Sequence, residues 1–111
     1  MNSIDSSVFI GYGNMGSAIV NSIYKKNIYK DILVIEPDKN KIEKKASKYI
    51  SFSHKFTKEL SDYKYVWFCV KPQSFRNIAK EIKPYLKSSQ IMISIMAGIT
   101  INQINNYVRF F

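Results

Sequence analysis

Short apolar runs alternate with amphipathic stretches along this chain. Ser7-Val8-Phe9-Ile10 is a brief apolar run leading straight into glycines, the pattern of a strand that ends in a tight turn. From Asn14 to about Lys26, Met15, Ala18, Ile19 and Ile23 recur at helical spacing and predict one apolar helix face. Asp31-Ile32-Leu33-Val34-Ile35-Glu36 predicts a second strand, ended by Pro37. Asp38 is placed to cap the next helix, in which Ile42, Ala46 and Tyr49 share a face. Ile50-Ser51-Phe52 predicts a weak third strand, and His54 to Ser61 leaves room for two helical turns. Tyr65-Val66-Trp67-Phe68-Cys69-Val70 carries the strongest strand signal, without polar alternation, as expected where helices cover both sheet faces. Behind Pro72, a helix presents Phe75, Ile78, Ala79 and Ile82 on one face, and Pro84 ends or kinks it near Lys83. Ile91-Met92-Ile93-Ser94-Ile95 predicts a fifth strand. Thr100 and Gln103 form a T-x-x-Q capping box, opening a helix with Ile101, Ile104 and Val108 inward. Val108-Arg109-Phe110-Phe111 then reads as the start of a sixth strand.

Such alternation implies a parallel sheet with right-handed crossovers and helices on both faces. The expected fold is a Rossmann-type doubly wound α/β sheet in three layers, α/β/α, broken off at the start of the sixth strand. Residues 1–111 form one domain. Open sheets of this kind bind ligands at the carboxyl ends of their strands, near the point where strand order reverses. Function is therefore expected at the loops after Ile10, Ile35, Val70 and Ile95.

Composition narrows the class. With 111 residues and 46% hydrophobic content, the chain has enough apolar surface for one core without staples. The single cysteine, Cys69, precludes an internal disulfide framework and lies in the most apolar strand, which suits an inert core thiol. The N-terminal stretch is polar, and no apolar run approaches the roughly 20 residues that span a bilayer. These features predict a cytoplasmic protein with no membrane partner.

The net charge of +9, from 17 Lys and Arg against 8 Asp and Glu, invites a nucleic-acid reading. The lysines, however, are spread along the outer faces of the expected helices, and no nucleic-acid partner is predicted. His54, the only histidine, has no cysteine or carboxylate at ligand spacing, so no metal site is expected. No Ser-His-Asp or paired-carboxylate constellation is present either.

The chemistry concentrates in Gly11-Tyr12-Gly13-Asn14-Met15-Gly16, a G-x-G-x-x-G. It follows a strand, opens a helix and lies inside a βαβ unit, the context in which that motif binds a dinucleotide. Gly11 permits the tight turn, Gly13 lets a pyrophosphate approach the backbone, and Gly16 lets helix and strand pack closely. The helix N-terminus adds unpaired N–H groups and a partial positive charge. Glu36, 25 positions after Gly11, is placed to accept hydrogen bonds from the adenosine ribose and favours NAD over NADP. Lys39 and Lys41 follow closely and can reach a 2′-phosphate.

Three stretches together resemble pyrroline-5-carboxylate reductase: Phe9 to Ile19 around the glycine loop, Val70-Lys71-Pro72-Gln73, and Ile93 to Ile101 with its Ala97-Gly98-Ile99-Thr100 core. The glycine loop with Asn-Met is shared with hydroxyacid dehydrogenases, whereas the other two stretches are more specific. The resemblance implies an NAD(P)H-binding domain, with contacts from Ile10, Gly11, Tyr12, Gly13, Asn14 and Met15. It further implies contacts from Glu36 and Asp38 near the ribose, from Val70, Lys71 and Pro72, and from Met96 and Ala97 at the nicotinamide end. It also implies hydride transfer to the C=N carbon of pyrroline-5-carboxylate, giving proline. Tyr12 and Met96 replace smaller residues of the family, so their bulk is expected to crowd the pyrophosphate and the nicotinamide. The family's helical domain, which forms dimers or higher oligomers and holds the substrate, has no counterpart in this chain. No catalytic residue is therefore assigned, and Lys71 is read as part of the cofactor loop. The alternatives are a non-catalytic dinucleotide-binding remnant and the cofactor domain of a related hydroxyacid dehydrogenase.

Overall fold

The computed structural model describes residues 6–26, 28, 31–45, 50–96 and 98–107. Five strands form one sheet: β1 (Ser6–Ile10), β2 (Asp31–Ile35), β3 (Ser51–Ser53), β4 (Tyr65–Phe68) and β5 (Ile91–Ser94). Four helices accompany them: α1 (Asn14–Lys25), α2 (Lys39–Lys45), α3 (Pro72–Ile82) and α4 (Ile101–Tyr107). Every pairing is parallel, and the strand order is β3-β2-β1-β4-β5. The order reverses between β1 and β4, which opens the crevice at their carboxyl ends. This is the expected doubly wound arrangement. The expected sixth strand, at Val108–Phe111, lies outside the described residues.

The two sheet faces follow from the two-residue period of a strand. Val8 and Ile10, with Leu33, Ile35, Val66 and Phe68, face a core completed by Phe75, Ala79 and Ile82 of α3 and Ile104 of α4. Phe9, Ile32 and Val34 face the opposite core, completed by Val20 and Ile23 of α1. Phe68 meets Phe75 edge-on at 5.3 Å and ties the sheet to α3, while Phe9 stacks on its register partner Trp67 at 5.1 Å and ties β1 to β4.

The helix ends match their local chemistry. Pro72 opens α3 from a Lys71 N-cap, and the helix stops at Ile82, where a 3-10 turn carrying Pro84 takes over. The capping box of α4 is complete: the Thr100 N–H donates to Gln103 Oε1 at 2.8 Å, and the Gln103 N–H to Thr100 Oγ1 at 3.1 Å. The stretch after His54 forms not two α-turns but a 3-10 helix, Lys58–Asp62, capped by the Thr57 hydroxyl. Of the face expected on α2, Ile42 is buried; Ala46 and Tyr49 lie outside the described residues.

Two helix faces differ from expectation. The buried face of α1 comprises Gly16, Ser17, Val20 and Ile23, while Met15 and Ala18 are exposed. Gly16 must face the strand ends for the glycine turn to close, and that requirement rotates Met15, about 100° away around the helix, to the outside. In α4, Ile104 is buried but Ile101 is 77% exposed. Gln90 had no periodic signal, yet it is buried: its side-chain amide donates to the Leu60 and Tyr63 carbonyls at 2.7 Å each. In the other direction, Gln90 Oε1 accepts from the Lys87 N–H at 2.8 Å.

The α4 geometry yields a paired expectation. Ile104→Ala should cost about 2–5 kcal/mol in urea unfolding. Ile101→Ala should stay within about 0.5 kcal/mol of wild type.

Candidate functional site

The site begins with the turn from β1 into α1. Gly11 sits at φ +104°, and a Cβ there would lie 2.8 Å from the Cys69 carbonyl oxygen. Only glycine fits both limits. A Cβ on Gly16 would stand 3.0 Å from the Gly11 carbonyl oxygen and 3.2 Å from the Cys69 Cβ, so α1 rests directly on the strand ends. Gly13 is different. It has extended backbone, caps α1 without a side chain, and a Cβ there would meet nothing within 4 Å. The direction a side chain would take is open space over the first turn of α1, where a helix presents N–H groups without intrahelical acceptors.

Two clefts meet at this point. One, of about 390 Å³, is centred on Gly11 and Gly13 after β1, with Glu36, Pro37 and Lys41 on the β2 side and Val70 and Lys71 on the β4 side. The other, of about 350 Å³, runs from Gly13, Asn14 and Met15 past Lys71 and Pro72 to Ile95 and Met96. Gly13, Cys69, Val70 and Lys71 line both. The loops after β1, β2, β4 and β5 thus converge as the strand order requires.

Glu36 is only 6% exposed. Its Oε1 accepts the Tyr12 N–H at 2.8 Å and its Oε2 the Asp38 N–H at 2.9 Å. The Glu36 main chain is also engaged: its N–H donates to the Ser53 carbonyl at 2.9 Å, and His54 Nδ1 lies 3.2 Å from its carbonyl oxygen. Asp38 does not line either cleft; it is exposed, and its Oδ1 caps the Asn40 N–H at 3.0 Å.

Crowding by the two larger residues is not what the geometry shows. The Tyr12 ring is fully buried on the α1 side of the sheet, edge-on to Phe52 at 5.1 Å, so its bulk leaves the loop and enters the core. Burial raises its hydroxyl pKa, partly offset by a hydrogen bond with Asn21. Met96 is 7% exposed and belongs to the core on the α3–α4 side, so most of its volume lies beneath the second cleft.

Of the residues expected at the site, Ile10, Gly11, Tyr12, Gly13 and Glu36 line the first cleft. Asn14, Met15, Pro72 and Met96 line the second, with Val70 and Lys71 in both; Ala97 lies outside the described residues. Sequence reasoning missed Phe56, Ser74 and Ile78 as lining residues. Ile78 carried a signal in the inward face of α3; Phe56 lies in an aperiodic stretch and carried none. Cys69 is not enclosed in the core but forms the floor between the clefts, partly buried, with burial pushing its thiol up to about 12. No group of three or more His, Cys, Asp or Glu able to hold a metal occurs among the described residues. No helix among them is long and apolar enough to cross a membrane.

Fold and site together define a Rossmann-type dinucleotide-binding domain. The family model described as NADP oxidoreductase, coenzyme F420-dependent, matches residues 7–98, and the chain belongs to that family. Within it, the chain is similar to the N-terminal NAD(P)-binding domain of pyrroline-5-carboxylate reductases. It is 32% identical over 106 residues to the pyrroline-5-carboxylate reductase of Staphylococcus haemolyticus, covering 92% of this chain and 39% of that protein. The pyrroline carboxylate reductase of Plasmodium falciparum, solved with NADP bound, superposes with a TM-score of 0.77 at 26% identity, over 97% of this chain and 39% of that one. The Coxiella burnetii pyrroline-5-carboxylate reductase superposes with a TM-score of 0.84 at 23% identity, over 96% of this chain and 41% of that one, and supports the fold. The chain thus spans well under half the length of these relatives.

Two outcomes test the site. Gly11→Ala should destabilise by at least about 1–3 kcal/mol, whereas Gly13→Ala, at a backbone angle any residue adopts, should be neutral or stabilising by up to about 1 kcal/mol. The Cys69 thiol, pushed up to about 12, should react with iodoacetamide at pH 8 at least about tenfold more slowly than in the unfolded chain, the lost thiolate fraction being partly offset by its greater nucleophilicity. Its rate should keep rising with pH well beyond 9.

Proposed function

We propose that this chain binds NAD(H) as the cofactor half of a cytoplasmic pyrroline-5-carboxylate reductase. The carrying observation is the pair of clefts meeting at Gly13, with a buried, fixed carboxylate on the β2 side of one and Met96 at the far end of the other. The adenosine ribose is assigned to Glu36, with Asp38 holding the adjoining turn. The pyrophosphate is assigned to the backbone from Ile10 to Met15 and to the N-terminus of α1, where the helix dipole favours negative charge. Val70, Lys71 and Pro72 take the nicotinamide ribose, and Met96 and Ala97 the nicotinamide.

The preference for NAD rests on Glu36. A carboxylate beside the ribose accepts hydrogen bonds from its hydroxyls and repels a 2′-phosphate. Lys41, exposed at the rim of the same cleft, offers the opposing charge that NADP requires, and the Plasmodium relative binds NADP. Glu36 outweighs Lys41 because it is buried and held at both oxygens, whereas an exposed ammonium is screened by water and salt.

Bound in this way, the cofactor would supply the hydride that adds to the C=N carbon of pyrroline-5-carboxylate, which with a proton on the ring nitrogen gives proline. This chain's residues bind it, orient it along the sheet ends and shield it from water. Recognition of the substrate's carboxylate and imine, and assembly into dimers, fall to the helical domain that completes the relatives. The domain alone therefore binds cofactor without turnover.

Titration of the purified chain with NADH and NADPH, read by calorimetry, tests this. Saturable binding tighter for NADH, and abolished by Gly13→Trp while the fold is retained, is the expected result. No binding of either nucleotide at millimolar concentration would overturn the proposal and leave a non-binding remnant.

A further inference from the structure

Glu36 occupies a position usually read as a reader of the adenosine ribose, yet its observed partners are main-chain groups of this chain. One carboxylate oxygen accepts from Tyr12 in the glycine loop, and the other accepts from Asp38 in the turn that starts α2. Tyr12 is fully buried, and its N–H bond to the carboxylate is buried with it. Tyr12 lies between Gly11, fixed by its positive φ, and Gly13, whose extended backbone leaves the cradle open. Strand register does not govern these residues: β1 ends at Ile10, and the Gly11 N–H bond to the Ile35 carbonyl is the last ladder contact on that side. Beyond it, the Glu36 carboxylate is what fastens the loop to the end of β2.

We infer that Glu36 is a positioning residue for the glycine loop: its carboxylate holds the pyrophosphate cradle open from the adenosine side, in addition to any bond it makes to the ribose. This rests on the nucleotide reading above and deepens it. A carboxylate offers acceptors on both oxygens and so satisfies two N–H groups at once. An apolar residue of similar size offers no acceptor and leaves both N–H groups unpaired, the buried one at Tyr12 included. Replacing Glu36 by an apolar residue therefore does not trade NADH for NADPH; it loosens the cradle that both require.

The test uses wild type and Glu36→Leu, with Glu36→Asp, which keeps the charge but is one methylene shorter, in reserve should the leucine variant fail to fold. Calorimetry with NADH and NADPH is combined with a shift titration using reduced nicotinamide mononucleotide, which has no adenosine ribose for Glu36 to touch. Amide exchange at Tyr12 and Asp38 is followed by NMR without ligand. In the variant, NADH, NADPH and the mononucleotide should all bind about tenfold more weakly, as expected for the lost charge-assisted hydrogen bond to the glycine loop. Exchange at Tyr12 should accelerate at least tenfold. Weaker NADH binding with stronger NADPH binding, unchanged mononucleotide binding and unchanged Tyr12 exchange would overturn the inference and leave Glu36 a ribose reader only. Unprotected Tyr12 exchange in folded wild type would also overturn it. A wild type that binds no nucleotide would sink the functional proposal alone, while the exchange measurement still decides the positioning role.

Discussion

The ligand face of this sheet depends on how closely α1 is seated on the ends of β1 and β4. A single added methyl at Gly16 would have to share space with the Gly11 carbonyl and the Cys69 Cβ, and one at Gly11 would strike the Cys69 carbonyl. Because the contact is backbone against backbone, no rotamer change relieves it. The first turn of α1 is therefore delivered to one place relative to the sheet, with Gly13, Asn14, Met15 and Gly16 lining the second cleft. The close packing sets the geometry, and the parallel strand order decides that the crevice opens there.

A buried acid in a chain of net charge +9 has a large field working in its favour, but Glu36 is stabilised mainly by two short local N–H contacts. Distributed lysines act over distances comparable with the Debye length and are weakened by salt; main-chain donors at hydrogen-bond distance are not. The same contrast disposes of the charge as a guide to function. The lysines provide a general positive potential, and the arrangement at the strand ends provides the local geometry.

Much of this was legible in the sequence because the elements are regular and locally specified. The five strands, the capping box at Thr100 and Gln103, the Pro72 start and Pro84 stop of α3, and the steric roles of Gly11 and Gly16 each follow from a few neighbouring residues. What escaped was set by tertiary contact. Periodicity alone placed Met15 inward, but the glycine turn fixes the rotation of α1 and turns it out. Tyr12 looked obstructive in a linear reading because nothing local says that its ring passes below the loop to Phe52. Gln90 joins the 3-10 helix to the approach to β5 across 27 to 30 residues of sequence, and no local pattern announces such a bond. The partners of Glu36 were equally invisible, since its placement at a strand end was readable but its two main-chain donors were not.

Gly13 differs from its neighbours in what would follow its loss. Substitutions at Gly11 and Gly16 are opposed by the fold itself, through backbone strain or close packing. At Gly13 a side chain would project into open space at an ordinary backbone angle, so the folded chain would tolerate it. Quality control that senses unfolding would pass such a variant, and only a failure to hold nucleotide would expose it. In this lineage, position 13 is therefore where relaxed selection on cofactor binding would first leave its mark, with no penalty in folding to hide behind.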